Sequence, residues 1–111
     1  MDLHNQVRDA QEALYEARAG YDAYARANHE GVTDELLKLD NAWLEIMAHD
    51  VRRVCLRIED DSKRLWFASK RPDPAHLARQ LSDVISDSLD PHAGKVVAAA
   101  VELMIARGEL G

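Results

Sequence analysis

One cysteine, three prolines, five glycines and six aromatic residues (two Trp, three Tyr, one Phe) are all that the 111-residue chain contains of these types. Each shortage excludes something. A lone Cys55 rules out an intramolecular disulfide and suits a reducing compartment. So few chain breakers disfavour a fold of many short strands and turns, and favour long helices. The longest uninterrupted apolar run, residues 96–101, has six residues, against the ~20 that a membrane-spanning helix needs. Met1, Asp2, Leu3 and His4 supply neither the basic region nor the apolar core of a signal peptide. The expectation is a cytoplasmic protein with no membrane association. No glycine-rich phosphate loop is present either. Gly94 and Lys95 resemble only the tail of one, without its upstream glycine.

What is present is an ordinary globular balance, 47% hydrophobic and 31% charged. The length fits one domain. A chain of this size buries roughly two thirds of its surface on folding, so it can build a core without disulfides or metal. The net charge of −6 is unevenly spread. Residues 1–50 carry a net of −7, residues 51–71 a net of +4 and residues 72–111 a net of −3. The acidic total disfavours a general nucleic-acid binder.

Periodicity points to an all-α fold. Leu3, Val7, Ala10, Leu14, Ala17, Tyr21 and Tyr24 recur at alternating spacings of four and three, which predicts one helix over residues 2–29 with a heptad seam. Ala13, Gly20 and Ala27 flank that seam. Gly20 costs ~1 kcal/mol inside a helix, and a close helix crossing is the expected reason for it. Gly31 suits the left-handed residue after a helix end, and Thr33 suits the next N-cap. A turn that short predicts antiparallel neighbours. The second helix starts near Asp34, with an expected apolar face of Leu36, Leu39, Trp43, Ile46 or Met47, Val51, Val54 and Ile58.

Its far end has two readings. Residues 54–68 fit a continued helix, supported by Glu59 with Lys63 and Asp60 with Arg64 at i,i+4. They also fit a β-hairpin turning at Asp60, Asp61 and Ser62, although no Asn-Gly or Asp-Gly pair marks it. The helix is the preferred reading. Asp73 with Pro74, and Asp90 with Pro91, each mark a further helix start. Leu77, Leu81, Val84 or Ile85 and Leu89 make the third helix's apolar face. The fourth helix, ending near Arg107 and Gly108, is apolar from Val96 to Ile105 except at Glu102. It must be buried on most sides, or shared with a subunit contact. The expected architecture is a single helical domain over 1–111, with a long antiparallel hairpin (2–69) followed by a short helical pair (73–108).

Candidate sites are sparse. Glu45, His49 and Asp50 form the one ligand-like cluster. A di-metal carboxylate bundle needs a Glu and a His three apart on two helices; here the spacing is four and no second copy exists, so no metal or other cofactor is expected. Cys55 lies among Arg52, Arg53 and Arg57, which favour a reactive thiolate. It also lies on the helix's apolar edge, which favours a structural role. Ser82, Ser86 and Ser88 sit mid-helix, where a nucleophile has no oxyanion pocket. Arg52, Arg53, Arg57, Lys63, Arg64, Lys70 and Arg71, interleaved with Trp66 and Phe67, fit single-stranded nucleic acid by phosphate contact and stacking. They fit better as charge partners for acidic residues of the first helix or of a second chain.

These features favour a non-enzymatic regulatory or inhibitory protein that binds another protein through its helical surface. The alternatives are a nucleic-acid-binding regulator using residues 52–71, and a metal- or ligand-binding bundle. Acidic helix faces carrying Asp9, Glu12, Glu16, Asp34, Asp40, Glu45 and Asp50 can also imitate a phosphate backbone. Long helices with apolar surface left over favour a homodimer. The candidate partner-binding residues are Tyr15, Tyr21, Tyr24, Trp43, Arg52, Arg53, Arg57 and Trp66.

Overall fold

The structure, a computed structural model, describes residues 3–64 and 73–109. Four helices account for most of them: α1 (Leu3–Asn28), α2 (Asp34–Arg64), α3 (Pro74–Asp87) and α4 (Pro91–Ala106). Among the described residues there is no strand. Residues 54–64 therefore continue α2 as helix, against the hairpin alternative for 54–68, whose last four residues lie outside the described ones.

Local chemistry places each boundary. Gly31 takes a positive φ of 81° after α1, a backbone that a side chain makes costly. The Thr33 hydroxyl accepts from the Leu36 N–H at 3.3 Å, with Asp34 and Glu35 beside the positive end of the α2 dipole. Asp73 caps α3 by accepting from the Ala75 N–H at 3.2 Å, and Asp90 caps α4 by accepting from the His92 N–H at 2.7 Å. The α4 C-terminus closes as a Schellman motif. The Gly108 N–H donates to Ile105 and the Glu109 N–H to Met104, each at 3.0 Å.

α4 is the centre of the molecule and packs against each of the other three helices. It runs antiparallel to α1: the His92 ring stacks on Tyr24, while Lys95 and Ala99 lie beside Ala13, Ala17 and Gly20. It runs antiparallel to α3, with Gly94 against Ser86 and Glu102 bonded to Arg79 at 2.7 and 3.1 Å. Val96, Val97 and Val101 are fully buried in one cluster with Leu44, Ala48, Val51 and Cys55 of α2, Leu14 of α1 and Ala78 of α3. All four helices thus share one core.

α1 and α2 are antiparallel, as expected, but they scarcely pack. Their contacts form a polar ladder of Arg26 with Asp34, Asp22 with Asn41, Tyr21 with Asp40 and Arg18 with Glu45. α1 spends its apolar seam on α4 instead. The structure also corrects the expected face of α2. Leu37, Leu44, Ala48, Val51 and Cys55 are buried, whereas Leu36, Leu39, Trp43 and Ile46 are 49%, 66%, 53% and 59% exposed, and Val54 is exposed as well. Ile58 is half-buried, as is Met47, which packs against the core where Ile46 does not. On α3, Ile85 packs against the core and Val84 is exposed.

Gly20 is a second correction. A Cβ there meets nothing within 4 Å, so no helix crosses it closely. Gly94 is the close-approach glycine: a Cβ there would lie 3.0 Å from Ser86 Cβ and 3.3 Å from Ser86 Cα and O. Gly20→Ala is expected to stabilise the protein by up to ~1 kcal/mol through helix propensity alone. Gly94→Ala is expected to destabilise it by about 1 kcal/mol net, because backbone on α3 must move. Urea unfolding of the two variants, with opposite midpoint shifts, checks both.

Candidate interaction surface

Three helices clasp α4, and the opening between α1 and α2 is where the clasp is incomplete. A groove of about 480 Å³ lies there. Leu14 of α1 forms one wall, Ala42, Glu45, Ile46 and His49 of α2 form the other, and Ala100, Leu103 and Met104 of α4 line the floor. The α1–α2 ladder closes one end, where Arg18 pairs with Glu45. An open, mainly apolar slot between helices is a common place for a ligand or a partner's side chains.

Beside the groove runs the uncovered stripe of α2. Leu36, Leu39, Trp43 and Ile46 recur at spacings of three, four and three, so they align on one helix edge. α3 does reach α2 farther along, where Leu81 and Ile85 lie by Val51 and Val54. With 14 residues against 31 in α2, α3 is too short to run back over the stripe. Ile46 belongs to both features, so groove and stripe form one apolar region.

The sequence-derived candidates divide accordingly. Trp43 is on the stripe. Tyr15 is 75% exposed, and it shares an edge of α1 with Arg18 and Asp22, which face α2. Tyr21 and Tyr24 are turned inward. The Tyr21 hydroxyl donates to Asp40 Oδ2 at 2.9 Å. The Tyr24 ring lies 4.3 Å from that of His92 and 15° from parallel to it, with His29 edge-on at 6.0 Å. Arg53 is paired with Asp50 at 3.1 Å, Arg57 is exposed and Arg52 is half-buried. Trp66 lies outside the described residues, as do Phe67, Lys70 and Arg71. The aromatic half of the basic–aromatic interleaving thus lies outside the described residues.

The remaining chemistry is modest. Cys55 is fully buried, and desolvation pushes its thiol above the ordinary value, opposite to what a nucleophile needs. Of the ligand-like trio, Glu45 is held by Arg18 and Asp50 by Arg53. Among the described residues no group of three or more His, Cys, Asp or Glu can hold a metal ion, and no helix is long and apolar enough to cross a membrane. Ser82 is buried in α3. His76, on the same helix, is exposed.

Periodicity alone puts Leu36, Leu39, Trp43 and either Ile46 or Met47 on the core face of α2, and it does not show the groove. One signal was available. Leu37, Leu44, Ala48, Val51 and Cys55 also recur at helical spacings, so α2 carries two apolar edges. No protein family, curated protein or solved structure matches the chain.

Tyr21 provides a pH-dependent reporter of the α1–α2 ladder. Burial, then the hydrogen bond to Asp40, push its phenol from the ordinary 10 up to about 12. The neutral form is the one held in the fold, so its stabilising contribution is complete below pH 10 and is lost as pH rises toward 12. Phenolate absorbance should show one tyrosine ionising near pH 12, absent from Tyr21→Phe. The stability decline between pH 10 and 12 should be shallower in that variant.

Proposed function

We propose that this chain is a non-catalytic regulatory or inhibitory protein, working as a homodimer, that acts by binding another protein in the groove between α1 and α2. The supporting observation is the apolar opening itself: Leu14, Ile46, Leu103 and Met104 face it from three helices. Burial of such a surface is favourable by roughly 25 cal/mol per Å². Its shape suits an amphipathic helix laid between two others. Met104 adds a flexible, polarisable contact that adapts to a partner's side chains. The outer face of α1 carries Asp9, Glu12 and Glu16, all exposed, so the fitting partner is a helix with basic flanks. A phosphate-like acidic face and an apolar slot together describe a protein that occupies a basic site on its target.

Catalysis has less support. The cysteine is buried with its thiolate disfavoured, and the buried serine lies mid-helix. A cytoplasmic setting is in keeping with a chain that holds a single free thiol and no disulfide.

The test is capture of a partner by the intact chain, its identification, and reconstitution from purified components. His49 is exposed at the groove rim, so His49→Trp fills the slot without entering the core. It is expected to weaken the reconstituted complex about tenfold or more while leaving thermal unfolding unchanged. An unaffected complex, or a reaction turned over by the purified chain, overturns the reading.

A further inference from the structure

We infer that the groove between α1 and α2 is also a site for a free medium-chain fatty acid, a single alkyl chain with a carboxylate head. The head binds Arg52 and the tail lies over Leu103 and Met104. The inference rests on the reading above in taking this groove as the working surface. It adds a small ligand that competes with the protein partner for it.

Three observations carry it. First, the groove has the size and the lining of a small-molecule site. Its volume of about 480 Å³ falls within the roughly 300–1,000 Å³ that such sites occupy. The lining from Ala42 to His49 extends about 10 Å along α2, a length that a medium alkyl chain spans. Ala42, Ile46, Leu103 and Met104 offer it carbon. The acid in the lining, Glu45, is held by Arg18.

Second, the groove leads to an unsatisfied cation. Arg52 lies seven residues after Glu45, two turns along the same edge of α2, so it continues the groove wall beyond His49. It is half-buried, and its Nε is shut off from solvent with no hydrogen-bond partner among the described residues. A buried donor without an acceptor is costly. A carboxylate removes that cost, because a guanidinium binds its two oxygens through parallel N–H bonds. Nearby Asp50 is already held by Arg53.

Third, α4 delivers a second cation to the same end. α2 and α4 are both antiparallel to α1, so they run the same way. Arg107 lies seven residues after Ala100, which lines the floor, and is exposed at the α4 C-terminus. An apolar slot that ends on two guanidiniums selects an anion at the tip of an alkyl chain. It does so in a molecule whose net charge of −6 otherwise attracts cations.

Isothermal titration calorimetry of the intact chain with decanoate tests the inference. Saturable one-to-one binding is expected. Arg52→Gln should weaken it about tenfold or more, and Arg52→Lys should restore part of it. Decylammonium, with the same tail and the opposite head, should not bind, and this comparison needs no variant. His49→Trp should exclude decanoate, which places the ligand in the groove. Absence of saturable decanoate binding overturns the inference. So does decylammonium bound as tightly, decanoate binding indifferent to Arg52→Gln, or binding to phosphatidylglycerol vesicles in place of decanoate. The protein complex is scored separately by reconstitution. A complex disrupted by His49→Trp in a chain that ignores decanoate overturns the fatty-acid site alone.

Discussion

Burial of α4 is the interaction on which the rest of the molecule depends. A helix whose residues 96–105 are apolar except at Glu102 has no solvent face to speak of, so the chain must wrap it. Three helices do so, two of them antiparallel to it. The side chains that meet them are small, with Ala93, Gly94, Val96, Val97, Ala100 and Val101 all buried. Small residues let helix axes approach closely, and the Gly94–Ser86 contact at 3.0 Å is the tightest expression of that. Such a core is sensitive to volume. Truncating Leu44, which is 1% exposed, would open a cavity costing on the order of 2–5 kcal/mol.

The position of α4 also explains why α1 and α2 stand apart. Two helices joined by a five-residue turn ordinarily zip together. Here α1 turns its seam to α4, and the hairpin is left with polar rungs. Exposed ion pairs such as Arg26 with Asp34 contribute ~0–1 kcal/mol each. Their value lies in register: they hold α2 at a set height beside α1 and cap one end of the groove. The groove is thus a consequence of the core, since a helix placed under the hairpin must spread it. α4, with 16 residues, also ends before α1 and α2 do.

Much of this was legible in the chain. Boundaries were the clearest part, because Thr33, Asp73 with Pro74, Asp90 with Pro91, Gly31 and Gly108 act within a few residues of themselves. The α1 seam and the all-round burial of α4 were legible from periodicity. The face of α2 was not. Its sequence holds two apolar edges, and the one with larger residues, Leu39 and Trp43, was taken for the core. Core packing against a valine–alanine helix selects Ala48 and Cys55 instead, and this preference becomes visible only once the identity of the neighbour is known. Gly20 was misread for the same reason: helix proximity is a tertiary fact, and the sequence does not say which glycine meets another backbone. The candidate surface was partly legible, in that Trp43 is on it, while Tyr15 is exposed beside Arg8, Glu12 and Glu16 of α1 and Tyr21 and Tyr24 are engaged by the ladder and by His92.

A stripe of Leu36, Leu39, Trp43 and Ile46 contributes little to the folding of one chain. These residues leave the core to Leu37 and Leu44, neither α1 nor α3 covers them, and polar residues at the same sites would serve helix formation as well. Exposed apolar seams carry a cost in solubility, and the net charge of −6 offsets it by keeping molecules apart at a distance. That repulsion is screened over about 10 Å at moderate salt. Inside that range the local arrangement decides, and along α2 the local arrangement is polar from end to end. The sign that matters at contact is that of the facing segment, −4 over residues 34–50 and +2 over residues 51–64, and not that of the whole chain.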